Sequence, residues 1–580
     1  MLNIISKLIY PNNVLFLFYT SIGISTILFL LKKNIKLFLL IISPLLLFYF
    51  SPKILLILIV FYSIYLLSSN FYYFIGYFFA LIQIYYILGL LINPKISLYF
   101  IFGLLSLIII IKRKKNKPII NFINNLNYLD IFIITFVFIT SSLPQFHWDA
   151  VHANLYNAKW YILNNSFLPL KESISSLFPQ NAIVYYSFFY QLLGLKGFQL
   201  SFILPLIFLL YFIKRFPAKN YLYLLIFTPI VFFQASNGYY DLLLALVCLI
   251  GVFSASSGYI FISSLLFGFA AASKYFPIAF FPLPYLMLFT KKQFNLKKFF
   301  VVSLLLITPL TISCLRTYNY TGSPIFPFAQ SIFPTPSLWS KTDILENNPM
   351  IQTSISTKQW ILGGFLYYPF STFFKSANFI ESTNGYPTLT YIFLLPLLFF
   401  TLNYSFIAYL LVGLVTRYYR YVWPFQFILY FYALTNIKKF PKFFSLLIIP
   451  LLLLNIFNIY KMYRTLPINT KQFFKPNYYQ LASADNGPIV FLNKTKAKKV
   501  LDASSNFLPR INITPITYQC SWYWINWQKS FTTLNEFEYL VTSNPVASSN
   551  NFCQNQITKQ AHQLSKVYED KDYLIFKINK

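Results

Sequence analysis

The sequence predicts an all-α polytopic membrane protein of about 16 transmembrane helices, closed by a small C-terminal extracytoplasmic α/β domain. Three observations carry that reading. The 580 residues are 57% hydrophobic and only 10% charged, where a soluble domain carries roughly 25% charged residues. Apolar runs such as VLFLFYTSIGISTILFLL (14–31) recur along most of the length, each near the roughly 17–25 residues that cross a bilayer. The basic residues punctuate those runs. This composition excludes a soluble enzyme, a disordered chain, a collagen-like chain and a disulfide framework.

The charge balance assigns the loops to sides. Lys and Arg number 46 and Asp and Glu 14, a formal net charge of +32. The clusters KRKKNK (112–117), Lys214/Arg215/Lys219, Lys291/Lys292/Lys297/Lys298 and Lys438/Lys439/Lys442 lie between hydrophobic stretches, as cytoplasmic loops do under the positive-inside rule. A nucleic-acid partner is not expected, because the basic residues punctuate apolar runs as loop charges between spans do. The expected surroundings are a lipid bilayer. No cleavable signal peptide is identified: a single Lys precedes the first apolar run, and no small-residue cleavage site follows it.

With the basic loops inside, the elements follow in order. A block of about five spans covers 14–111, within an N-terminal region 1–127. A core follows over 128–464. Its span 128–143 leads outward, so 144–182, rich in Trp, His, Asn and Pro, is the first external loop. The run 183–194 is short for a span and is read as a helix lying at or dipping into the outer surface. Runs 198–213, 221–235, 241–256, 259–273, 275–290 and 299–315 then alternate, which puts NGYYD (237–241) and Lys274 at the outer face. A second external loop spans 316–385, with a short amphipathic piece at 361–370. Four more spans are expected at 386–402, 404–418, 421–435 and 443–460. Residues 465–580 hold seven of the 14 acidic residues and no long apolar run. Their stretches PIVFL (488–492), EYLVTS (538–543) and DYLIFKI (572–578) read as β-like, which gives the α/β domain. Cys248 and Cys314 occupy apolar positions and read as core. Cys520 and Cys553 lie in the extracytoplasmic domain, where an oxidising environment permits a disulfide between them.

Carboxylates are the sharpest chemical signal. Residues 1–464 hold only Asp130, Asp149, Glu172, Asp241, Asp343, Glu346 and Glu381. A carboxylate at membrane depth is costly and is by default a functional candidate. Asp149 stands between His147 and His152 in QFHWDAVHANLYNAKWYILNNSFLP (145–169). It reads either as a general base that takes a proton from an acceptor hydroxyl or as the N-cap of a surface helix. H-x-D-x-x-H also raises metal ligation, although it fits no defined pattern. Asp241 opens a span and could cap it. Lys274, alone between apolar runs, is either a snorkelling lysine or a phosphate contact. Arg417 and Arg420 fall on the external side against the positive-inside preference, and arginine forks suit phosphate. Two carboxylates and three cations on one face suit transfer from a phosphate-activated donor: a base activates the acceptor, and cations stabilise the departing phosphate.

This arrangement resembles the GT-C superfamily of polytopic glycosyltransferases, including the bacterial protein mannosyltransferase and lipid A aminoarabinose transferase types. The likeness covers roughly 128–460 and rests on four places: Asp149 through Pro169, NGYYD with Asp241, GFAAASKYFPIAFFPLP with Lys274, and RYYRYVWPFQFIL with Arg417 and Arg420. The resemblance implies a multi-pass protein of the bacterial cytoplasmic membrane with an extracytoplasmic active site. It implies a polyprenyl-phosphate-linked sugar donor, a glycan, lipid or protein acceptor, and inverting transfer. Asp149 would be the base, Lys274 and Arg417 or Arg420 would hold the donor phosphate, and Asp241 would shape the site or assist a metal. No cofactor is firmly implied. HWDAVH lacks the second acidic residue that some members carry, so a divalent metal (Mg or Mn) stays open. The competing readings are a transporter or flippase for lipid-linked glycans, and a glycan polymerase.

Overall fold

The computed structural model describes residues 13–32, 53–111, 125–141, 149–170, 173–326, 332–333, 390–391, 394, 404–415, 419–436, 442–464, 486–495, 498–503, 516–519, 537–544, 561–570 and 573–579. They form a mostly helical body and a small five-stranded sheet. The expected piece at 361–370 and the cysteines Cys520 and Cys553 lie outside the described residues.

The N-terminal region contributes α1 (Asn13–Lys32), α2 (Ile54–Leu67), α3 (Phe71–Leu91) and α4 (Pro94–Ile111). These segments are apolar all round, as helices in lipid or in a protein interior must be. The Asn70 side chain caps α3 by accepting from the amides of Tyr72 (3.0 Å) and Tyr73 (3.2 Å), which satisfies donors the helix start leaves open. Then come α5 (Tyr128–Ser141), a π-helical turn (Asp149–Asn154), α6 (Leu155–Leu163), α7 (Asn181–Leu193) and α8 (Leu195–Ile213). The chain reverses between α7 and α8 at Gly194, with φ at +62°, a setting open to glycine without steric cost. The hairpin is tight: a Cβ on Gly197 would fall 2.0 Å from the Phe189 carbonyl oxygen.

Next follow α9 (Lys219–Ile226), α10 (Pro229–Ser236), α11 (Asp241–Ser256), α12 (Ile260–Ala271), α13 (Pro282–Thr290) and α14 (Leu296–Thr321). Two runs read as continuous are broken here. The run 221–235 is two helices, because Pro229 supplies no amide and pushes Thr228 into an extended backbone. The run 275–290 is a 3₁₀ turn (Phe276–Phe280) before α13, with Pro277, Pro282 and Pro284 interrupting the α ladder. Helices α10 and α11 meet at 112° across residues 237–240. The last described helices of this body are α15 (Tyr404–Val415), α16 (Tyr419–Asn436) and α17 (Lys442–Arg464).

Among the described residues, three helices are long and apolar enough to cross a membrane, or four if the bent pair counts as one span; eight shorter apolar helices accompany them. The span count of about 16 is thus not reached by what is described. On α14, Phe300, Leu304 and Ile307 are exposed in a three-to-four-residue rhythm. That stripe would drive association in water and suits a lipid-facing surface. One apolar cluster runs from Ile54 to Ile459 and includes residues from both sides of position 127.

At the C-terminal end, α18 (Asn486–Lys494) precedes β1 (Lys499–Asp502), β2 (Ile516–Gln519), β3 (Tyr539–Ser543), β4 (Leu564–Glu569) and β5 (Tyr573–Ile578). The strand order is β2-β1-β3-β5-β4, parallel for β2-β1-β3 and antiparallel for β3-β5-β4. EYLVTS and DYLIFKI supply β3 and β5 as expected. PIVFL does not form a strand and lies in α18. Pro488 suits a first helical turn, and Ile489 and Leu492, three apart, bury one stripe against Val500, Val541 and Ile575.

Candidate active site

Of the seven candidate residues, Asp241 and Lys274 are described with their side chains. Asp149 and His152 are placed by their backbone in the π turn, and Arg420 in the first turn of α16. His147 and Arg417 lie outside the described residues.

The π turn that opens at Asp149 packs directly on the break between α10 and α11. A Cβ on Gly238 would lie 2.8 Å from Leu155 Cγ and 2.9 Å from Ala150 Cβ, so only glycine permits this approach. Asn154 Nδ2 donates to the Gly238 carbonyl at 2.9 Å, and Tyr186 Oη donates to the Tyr239 carbonyl at 2.9 Å. The turn is held from both sides and delivers Asp241 at the start of α11. Two segments some ninety positions apart in the sequence, those of Asp149 and Asp241, therefore share one wall. π turns are rare and are often found at functional sites.

Asp241 is not the N-cap of α11. Tyr240 holds that position, and Asp241 stands in the first turn, where the helix dipole favours a negative charge. Lys274 Nζ donates to Asp241 Oδ1 at 2.6 Å, with the side chains 14% and 3% exposed. The same ammonium lies 3.6 Å from the centroid of the Tyr421 ring and 5.4 Å from that of Tyr240, within cation–π range. Lys274 is thus held between a carboxylate and aromatic faces and does not snorkel. The pair lines a cavity of about 10 Å³ with Cys248, Phe276, Tyr421 and Phe425, on the order of room for one water. No group of three or more His, Cys, Asp or Glu residues gathers among the described residues. A divalent cation would share the Asp241 carboxylate with an ammonium 2.6 Å away, a like charge that the pair as built does not accommodate.

Asp130 belongs to a separate cluster. Its carboxylate pairs with Lys214 and accepts from Tyr223 Oη at 2.5 Å and from the Asn127 amide at 2.7 Å. Lys32 Nζ donates to the nearby Leu126 carbonyl. These groups join the ends of α1, α5, α8 and α9, a structural role for a buried carboxylate.

Three features were not singled out from the sequence. Tyr421 adjoins Arg420, in a motif noted for its arginines. Lys159 on α6 is buried, and that burial pushes its ammonium down to about 8. Arg316 is 5% exposed near the end of α14 and reaches back to Tyr161, Phe167 and Ser176. A lone arginine ending an apolar run reads as a span boundary, so no pattern marks its inward direction.

No family model and no curated protein matches the chain. Among solved structures, the crystal structure of ArnT from Cupriavidus metallidurans bound to undecaprenyl phosphate aligns with a TM-score of 0.46 and 13% identity, over 77% of this chain and 97% of that chain. The apo-state structure of the same protein aligns with a TM-score of 0.43 and 14% identity over the same shares. A likeness at this level assigns no role to any residue of this chain.

Proposed function

We propose that the chain is a membrane glycosyltransferase that moves a sugar from a polyprenyl-phosphate donor to a glycan, lipid or protein acceptor on the extracytoplasmic face. The observation that carries this reading is the packing of the Asp149 turn on Gly238, which sets that turn beside the Asp241–Lys274 pair. In this reading Asp149 accepts the proton of an acceptor hydroxyl while that oxygen attacks the anomeric carbon from the face opposite the phosphate. The bond from anomeric carbon to phosphate oxygen breaks, and polyprenyl phosphate departs with both electrons of that bond. Lys274, Arg417 and Arg420 stabilise its charge. Asp241 orients the Lys274 ammonium, and His147 and His152 flank the base. The fixed donor pair costs no reorganisation at the moment of transfer, which is where such sites gain most.

The test is mass spectrometry of surface glycans and glycolipids in a deletion strain, complemented with wild type or Asp149→Ala at equal membrane expression. Wild type is expected to restore a missing sugar and the variant to leave it missing. Full restoration by Asp149→Ala would remove the base and bring a transporter forward. Accumulation of intact lipid-linked glycan on the cytoplasmic side of the deletion strain would favour a flippase.

A further inference from the structure

The first external loop is gripped from two directions. Arg316 donates from Nε to the Phe167 carbonyl (2.6 Å), from Nη1 to the Ser176 carbonyl (2.6 Å) and from Nη2 to Tyr161 Oη (2.7 Å). Thr317, one residue on, donates to the Leu177 carbonyl at 2.8 Å. On the opposite side, the Phe167 ring fills a slot on α3 that exists because residue 89 is glycine. A Cβ there would lie 2.3 and 2.4 Å from ring carbons of Phe167. Tyr85, Tyr86 and Tyr161 close around the ring edge-to-face. Arg316 makes no ion pair among the described residues; the three groups it donates to are neutral acceptors. A desolvated cation spent on two carbonyls and a phenol gives modest net stability, but it fixes three points of one loop in a rigid fork.

We infer that Arg316, acting with the Gly89 slot for Phe167, is the positioning residue that sets the Asp149 turn against Gly238. Tyr161 is the link. It lies on α6, which continues without a break from the π turn that opens at Asp149. Arg316 holds the far end of that helix through Tyr161, while Asn154 and Gly238 hold the near end. Release of the far end lets α6 pivot about Gly238 and carries the Asp149 backbone with it. A misplacement of about 1 Å at a reacting group can cost on the order of 100-fold in rate. The inference rests on the transferase reading above for its kinetic consequence and on geometry alone for its structural one.

The experiment uses full-length protein in lipid nanodiscs, with Arg316→Ala, Arg316→Lys and Gly89→Ala beside wild type. Backbone hydrogen exchange is read over 155–178, and sugar transfer from a polyprenyl-phosphate-sugar donor is read as kcat and KM. Arg316→Ala and Gly89→Ala are expected to speed exchange in this segment while the spans stay protected. Each is expected to lower kcat on the order of 100-fold with the donor KM within about twofold, since the donor contacts are untouched. Arg316→Lys, which keeps the charge and can keep one bond, is expected to recover part of kcat. Unchanged exchange in both Arg316→Ala and Gly89→Ala would overturn the clamp. Faster exchange with unchanged kcat would overturn positioning and leave only a structural brace. A raised donor KM at constant kcat would overturn it too, by making the loop a binding element. If wild type transfers no sugar, the transferase reading fails, and the exchange data still decide the clamp. Gly89→Ala keeps the test open if Arg316→Ala does not fold.

Discussion

The pairing of Asp241 with Lys274 makes a quantitative forecast. At 2.6 Å, two unit charges attract by about 6 kcal/mol at an effective dielectric of about 20. Desolvation of both groups offsets much of that, and loss of one partner from a buried pair costs roughly 3–5 kcal/mol because the survivor is left uncompensated. Asp241→Asn and Lys274→Met should each lower the unfolding free energy by about 3 kcal/mol. The double variant, with neither charge buried, should return to within about 1 kcal/mol of wild type, a strongly non-additive cycle. The assay is denaturant unfolding of the four purified proteins in one lipid environment, followed by intrinsic fluorescence. Additive losses would refute the pair as an energetic unit. Sugar transfer separates structure from chemistry: the double variant should be as inactive as the single ones. A stable and active double variant would show that the pair serves only the fold.

Other forecasts follow from the same geometry. Gly238→Ala places a methyl 2.8–2.9 Å from Leu155 and Ala150; it should cost about 1–3 kcal/mol in the same unfolding assay and lower transfer more than stability. Gly268→Ala sets a methyl 2.4 Å from the Leu305 carbonyl oxygen on α14; a similar cost of about 1–3 kcal/mol is expected, since backbone must move, with no selective effect on transfer. Burial holds Lys159 at about 8, below the ordinary 10.5. Between those values the unfolded chain binds more protons, so stability should rise with pH through that window, by up to about 3 kcal/mol. Lys159→Met should flatten that rise and stabilise the protein at pH 7; a melting-temperature series from pH 7 to 10 with unchanged slope in the variant would refute the assignment.

Much of the helical body was legible because its runs are apolar all round, a pattern that length and hydropathy report without knowledge of neighbours. The breaks at Thr228–Pro229 and Phe276–Pro277 were legible in principle, since each proline removes an amide, but continuous hydropathy masked them. PIVFL shows the opposite limit: a short apolar run suits strand or helix equally, and the sheet surface that receives Ile489 and Leu492 decides. Counting spans placed Asp149 and Asp241 on one side, yet their apposition needs Gly238, whose role is to lack a side chain. Lys274 was visible as a lone cation, while its fixation by Asp241 and Tyr421 joins positions 33 and 147 residues away. Arg316 was the least legible, because two of its three partners are backbone carbonyls, which every residue carries.

The slot at Gly89 bears on how such a protein can be rebuilt. Residues 1–127 look dispensable as a domain, a block of spans ahead of the core. Yet α3 supplies the socket for Phe167, Gln83 Oε1 accepts from Asn181 Nδ2 at 2.6 Å, and Asn70 Nδ2 donates to Tyr259 Oη at 3.0 Å. A chain trimmed to the core would lose one wall of its first loop. An exchange of N-terminal blocks between related chains should succeed only when the segment 164–181 travels with the block, so the unit of inheritance is the socket together with its plug.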